Sequence, residues 1–277
     1  MEEKDTYKTK RFFILTFSIT WICWFAAPYL GDPLNSDATF LVLMLIGLMT
    51  PFATALYLIL TSKSTRLKNT FFNKLLNIKL IKPRSIPLFL VLFPASIIGA
   101  ILVSTLFGYS LDQFTIVEEF SFSIGTVPTF LILLLAAGFE ELGWRGYAIE
   151  SLNSKLNYFE ATLIFGILWS LWHLPMFFIP HSYQAELLQE DFLLVANFFI
   201  SIVPLAFIIG WFCKKNGGSI LGAVLIHFII NITQEFFQVS PYTKCIQTVI
   251  LILIAVAFVL VDKKMFFEKP RGQGASL

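Results

Sequence analysis

The chain has 277 residues, of which 57% are hydrophobic and 14% charged, and its mean hydropathy is +0.77. An ordinary soluble domain carries about 25% charged residues, so this composition excludes such a domain and indicates a polytopic membrane protein. The formal net charge is only +2, and we expect no nucleic-acid partner. The cysteines Cys23, Cys213 and Cys245 share no close spacing, which argues against a zinc ribbon or a disulfide framework.

Apolar runs predict an all-α fold of about eight transmembrane helices, within a single membrane-embedded domain over 1–277. Each run is close to the roughly 20 residues that a helix needs to cross a bilayer. Between the second and third runs, basic and apolar residues alternate over 63–84, as is typical of an amphipathic helix on the membrane surface. The predicted spans are 12–30, 39–62, 86–108, 126–150, 157–180, 191–213, 217–238 and 244–262.

The basic residues predict how these spans are oriented. Of the 20 Lys and Arg residues, all but Lys244 fall on the side of the membrane that holds the N-terminus. Short loops rich in Lys and Arg stay in the cytoplasm. We therefore expect a multi-pass protein of a prokaryotic plasma membrane with both termini cytoplasmic.

Two adjacent carboxylates end the apolar part of span four, where an ionised group costs about 3 kcal/mol to bury. Glu140 and Glu141 point about 100° apart around a helix, so they have different neighbours. Arg145 follows Glu141 at the i, i+4 spacing that favours an ion pair along one helix. Glu140 has no such local partner and remains available for chemistry.

Other polar groups fall inside spans five and seven. His173 lies in span five, and His227 and Asn231 lie four residues apart on one face of span seven. Each alone is compatible with a hydrogen bond between helices. Together with Glu140, the set predicts a polar active-site cavity among spans four, five and seven.

The same residues form three motifs, E-E-x-x-x-R, an aromatic residue followed by x-x-x-H, and H-x-x-x-N. The motif residues in chain order are Glu140, Glu141, Arg145, His173, His227 and Asn231. This pattern resembles the signature of the CAAX protease and bacteriocin-processing family, with a motif core over 126–238. Trp169 stands where that family usually has Phe.

The resemblance implies an intramembrane endopeptidase. Its substrate would be a prenylated C-a-a-X protein, whose lipid chain partitions into the membrane lipid and brings the scissile bond to the site. Cleavage after the lipidated cysteine would release the last three residues. The site would open to the cytoplasmic side.

Peptide hydrolysis needs a base that activates water and donors that hold the oxyanion. We expect Glu140 to be the base with His173 beside it, and His227 with Asn231 to be the oxyanion donors. Glu141 and Arg145 would support them, and no metal or cofactor is expected.

Two alternatives stay open at this point. Two histidines and a glutamate can also hold zinc, although the chain lacks an H-E-x-x-H helix. A cavity of this kind could also serve a bacteriocin-immunity or solute-binding protein without enzymatic activity.

Overall fold

The structure is a computed structural model that describes residues 7–34, 37–117 and 129–268. Within these ranges the chain is almost wholly helical, apart from an isolated antiparallel bridge between Ile116 and Phe237. The α-helices are α1 Thr9–Leu30, α2 Ala38–Leu60, α3 Thr65–Leu76, α4 Ile86–Ser104, α5 Thr129–Gly143, α6 Ile149–Asn153, α7 Tyr158–Trp172, α8 Tyr183–Glu190, α9 Phe192–Lys215, α10 Ile220–Phe236, α11 Pro241–Val261 and α12 Lys263–Phe267.

The predicted all-α polytopic membrane fold is confirmed. In the described chain, six helical segments are long and apolar enough to cross a membrane. They are Thr9–Leu30, Ala38–Leu60, Pro83–Phe107, Tyr158–Phe178, Phe192–Lys215 and Pro241–Val261. The predicted spans four and seven correspond to the shorter α5 and α10, and residues 126–128 of span four lie outside the described residues. At 1.5 Å per residue, α10 is roughly 26 Å long, slightly less than the hydrocarbon thickness.

Helix α5 does not stop at Gly143 but continues through a π-helical turn, Trp144–Ala148, into α6. Single π-turns inside α-helices occur frequently at functional sites. On its other side, Gly143 meets α2, where a Cβ atom would lie 2.6 Å from the Pro51 carbonyl oxygen. The missing side chain therefore lets α2 and α5 approach closely, one turn after Glu140.

The two ends of the bundle differ. At one end the Lys8 backbone N–H donates to the Tyr147 hydroxyl, and Lys74 pairs with Glu150 at 3.0 Å. We call this the basic end; it holds the start of α1, helices α3, α6 and α12, and most of the Lys and Arg residues. The opposite end, which holds α8, is called the α8 end.

The predicted amphipathic segment forms α3 and two short 3₁₀ turns. Leu67 and Phe71 are buried in the protein core, whereas Phe72 and Leu76 are exposed. The apolar face is thus divided between the protein interior and the surface, where it can contact lipid.

Candidate active site

Glu140 is buried in the last full turn of α5, with 7% of its surface exposed. The indole N–H of Trp169, on α7, donates to Glu140 Oε2 at 2.8 Å. This hydrogen bond orients one carboxylate oxygen. A buried carboxylate needs such a donor because it has lost its water shell.

Glu141 points the other way and is fully buried. Its Oε1 atom accepts from Arg145 Nη1 at 2.7 Å and contacts His227 Nδ1 at 2.9 Å. The ion pair indicated by the i, i+4 spacing is therefore present, and it also holds a histidine of α10. The Arg145 guanidinium lies over the rings of Phe165 and Trp169, at 4.8 and 4.6 Å from their centroids.

His173 caps the C-terminus of α7, just before the 3₁₀ segment Leu174–Phe178. Its Nδ1 atom lies 2.9 Å from the Trp169 carbonyl oxygen, which can only accept. That partner assigns the proton to Nδ1 and leaves Nε2 as an acceptor. The ring is fixed edge-on to Trp172 and Phe198, with centroids 4.8 and 5.6 Å away.

His227 is held in the same manner by a different acceptor. The Glu141 oxygen that accepts from Arg145 is the same atom that contacts His227, and as an acceptor it makes His227 Nδ1 the donor. Its Nε2 atom consequently carries a proton only when the ring is doubly protonated. Asn231 follows one turn later on α10.

A cavity of about 590 Å³ is lined by Glu140, His173, His227 and Asn231, and by Trp169. The wall from α1, α2 and α5 is apolar apart from Glu140. Its residues are Trp24, Leu41, Met44, Leu45, Leu48, Ile132, Leu133, Leu135, Ala136 and Phe139. The wall from α8 to α11, called the polar wall below, holds most of the polar lining side chains, namely Tyr183, Gln184, Asn197, Ser201, Asn231, Gln234, Glu235, Lys244, Gln247 and Thr248. Apolar residues lie between them, namely Leu187, Leu194, Phe198, Ile202, Leu205, Ile230, Pro241 and Leu251.

The cavity extends from the level of Glu140 toward the α8 end. Its lining residues come from the first turns of α2 and α11 and the last turns of α10, all of which lie at that end. The cavity therefore extends toward the end opposite the start of α1 and the end of α12, whereas the sequence predicts that the site and both termini face the cytoplasm. For an opening at the α8 end, only one of these two expectations can hold.

Two contacts of the site were missed by the sequence reasoning. Trp169 stands in the motif as an aromatic residue in place of Phe, and its position in the sequence does not predict that its N–H donates to Glu140, 29 residues away. The contact between Glu141 and His227 joins residues 86 positions apart. Both depend on how α5, α7 and α10 pack, which local spacing does not specify.

A zinc ion in a protein requires three or four ligands, usually His, Cys, Asp or Glu side chains. Throughout residues 7–34, 37–117 and 129–268, no group of three or more His, Cys, Asp or Glu side chains is arranged to hold a metal ion. Each imidazole donates Nδ1–H to a protein acceptor, which leaves its Nε2 lone pair free, but Asn231 is a poor zinc ligand. We therefore derive no step through a metal.

This chain is similar in sequence to a known protein over nearly its whole length, and part of it matches a family model. Residues 121–233 match the family described as type II CAAX prenyl endopeptidase Rce1-like. Over 263 residues the chain is 47% identical to CAAX prenyl protease 2 of Methanococcus maripaludis, and the alignment covers 95% of this chain and 97% of the relative. The motif resemblance is thereby confirmed, and the chain belongs to the Rce1-like family of CAAX prenyl endopeptidases, which are membrane proteases.

Proposed function

We propose that this protein cleaves a prenylated C-a-a-X protein after the lipidated cysteine and releases the last three residues. The observation that carries the proposal is the arrangement of Glu140, His173, His227 and Asn231 around one cavity with an apolar and a polar wall. The family of the chain supports the same reaction.

Glu140 takes a proton from a water molecule, and the hydroxide attacks the cysteine carbonyl carbon. His173 orients the same water molecule, because it lines the cavity and its Nε2 atom can accept the second water hydrogen. The proton held on Glu140 then passes to the leaving amide nitrogen as the C–N bond breaks. The products are a prenylcysteine carboxylate and a free tripeptide.

The oxyanion is stabilised by Asn231 and His227 from one face of α10. The Asn231 amide donates as it stands, whereas His227 donates through Nε2 as an imidazolium. Glu141 supplies the counter-charge at Nδ1, and Arg145 donates to the same carboxylate oxygen. This assigns Glu141 and Arg145 a positioning role with no contact to substrate.

Each wall of the cavity contacts a different part of the substrate. An isoprenyl chain buries favourably against the apolar side chains of α2 and α5, such as Leu45 and Phe139, at about 25 cal/mol per Å². The peptide, with its N–H and C=O groups, lies along the polar wall from α8 to α11.

The position of the cavity also favours one orientation of the protein in the membrane. The C-terminal peptide has to enter at the α8 end, because the cavity extends there from the site. We propose that the α8 end faces the cytoplasm, which holds the prenylated substrates that the family resemblance implies. Both termini then lie on the other side, against the expectation from the Lys and Arg distribution.

The test is the Glu140→Gln variant, which keeps the side-chain volume and removes the base. Cleavage of a farnesylated C-a-a-X peptide should fall by about 10² to 10⁴-fold. Glu268→Gln, an exposed carboxylate at the basic end, is the matched control and should retain full activity. Near-normal turnover by Glu140→Gln would overturn the assignment of the base.

A further inference from the structure

Among the described Lys and Arg residues, Lys244 is the one at the α8 end, in the first turn of α11, and it lines the active-site cavity. Among the described lining residues it is also the only one of these two types. Its ammonium lies 4.7 Å from the centroid of the Tyr183 ring, on α8. Glu235 interacts electrostatically with both residues. A lysine inside a membrane protein is costly and commonly marks a functional site.

One hydrogen bond between α10 and α11 lies between the level of Lys244 and that of the proposed oxyanion donors. Gln234 lies three residues beyond Asn231 on α10, and its Nε2 donates to Gln247 Oε1 at 2.8 Å. Lys244 lies three residues before Gln247 on α11, which runs antiparallel to α10. Each step of three residues advances about 4.5 Å toward the α8 end, so Lys244 lies roughly 9 Å beyond Asn231 along the bundle.

That separation matches the length of the released peptide. Three residues in extended conformation span roughly 10 Å from the scissile carbonyl to the terminal carboxylate. With the carbonyl oxygen held by Asn231, the carboxylate of the last residue reaches the level of Lys244. Peptide groups on the way pass Gln234 and Gln247, which line the same wall.

We propose that Lys244 binds the free C-terminal carboxylate of the C-a-a-X substrate. The inference rests on the proposed function. It identifies Lys244 as the group that fixes the distance of three residues between the cleaved bond and the C-terminus of the substrate. An ammonium and a carboxylate form a charge-assisted hydrogen bond, which is stronger than a neutral one. Glu235, as a nearby negative charge, opposes binding of this carboxylate, and Tyr183 holds the ammonium in place before substrate arrives.

The experiment compares two farnesylated C-a-a-X peptides that differ only at the C-terminus, one a free acid and one an amide. The purified full-length protein should cleave the acid with a KM about tenfold lower than that of the amide. Lys244→Met should abolish this difference, and Lys244→Arg should restore it. Glu235→Gln should lower the KM for the acid, in the opposite direction to Lys244→Met.

Lys263→Met, which removes an exposed lysine at the basic end, is the control and should keep the preference for the acid. The ratio is measured within each variant, so a loss of folded protein lowers both rates and leaves it unchanged. Equal cleavage of the two peptides by the wild type, or a preference retained in Lys244→Met, would overturn this inference alone. Cleavage of neither peptide by the wild type would overturn the protease proposal with it.

Discussion

At the scale of single residues, the base at the site is defined by what surrounds each carboxylate. Glu140 and Glu141 are neighbours in sequence, yet one accepts from a neutral indole and the other from a guanidinium and an imidazole. Glu141 is therefore engaged by two partners through one oxygen. Glu140 faces the cavity with a single hydrogen bond, which leaves it able to take a proton.

Removing the indole donor tests this difference. Trp169→Phe keeps an aromatic ring for the stack on Phe165 but loses the N–H that orients Glu140. We expect kcat for the farnesylated peptide to fall about 10- to 150-fold with KM nearly unchanged, since hydrogen bonds to charged groups contribute about 1.5–3 kcal/mol.

The control for this change is Trp211→Phe, which removes an indole bond to Asp262 at 2.5 Å near the basic end and should leave kcat unaltered. A rise in KM at constant kcat in Trp169→Phe would assign Trp169 to substrate binding and contradict its positioning role.

Some features of the site can be predicted from the sequence, and others cannot. The pairing of Glu141 with Arg145 follows from helical geometry, since residues four apart share a face. The clustering of His173 and His227 with Glu140 followed from the cost of burying polar groups in a membrane. Which nitrogen of each imidazole is engaged depends on atoms from other helices, and sequence carries no such information.

At the scale of helices, α5 combines close packing with an interruption of its regular geometry. The sequence predicts its apolar run but not the π-helical turn at Trp144–Ala148, in which a Cβ atom at Gly146 would lie 2.6 Å from the Phe71 ring. Likewise, the sequence predicts span seven as transmembrane with the others, whereas α10 has 17 residues and is shorter than the six spanning segments of the described chain.

Two glycines of α5 provide a matched test of the contact between α2 and α5. A Cβ atom at Gly143 would collide with the backbone of Pro51, whereas at Gly138 no atom lies within 4 Å. Gly143→Ala should destabilise the protein by about 1–3 kcal/mol, because the two helices have to move apart. It should also lower activity, since Glu140 precedes it by one turn.

Gly138→Ala should instead stabilise the protein by about 0.5–1 kcal/mol, because alanine loses less backbone entropy in a helix. Thermal unfolding in detergent measures both variants. Equal effects of the two substitutions would contradict the close approach of α2 and α5 at Gly143.

At the scale of the whole molecule, the charge distribution and the cavity give opposite orientations. Lys and Arg residues concentrate at the basic end, which the usual rule places in the cytoplasm. The cavity extends to the α8 end, which the proposed substrate requires to be cytoplasmic. The rule describes a tendency of membrane insertion, whereas access of the substrate is a condition of activity, so we expect the α8 end to be cytoplasmic.

Single cysteines can measure this orientation, in a background with Cys23, Cys213 and Cys245 replaced. Both Glu186 on α8 and Lys263 at the basic end are exposed. A membrane-impermeant maleimide should label Lys263→Cys in intact cells, and Glu186→Cys only after the membrane is permeabilised. The reverse pattern would contradict the proposed orientation and require a substrate that reaches the site from outside the cytoplasm.

The central claim is that this protein hydrolyses a prenylated C-a-a-X peptide with a glutamate-activated water. The most direct measurement is the mass of the products formed from a farnesylated C-a-a-X peptide by the purified protein, with and without a strong zinc chelator. We expect an intact tripeptide and a farnesylcysteine product both with and without the chelator. Loss of cleavage on chelation, with recovery on adding zinc, would contradict the mechanism, and an uncleaved peptide in both would contradict the function.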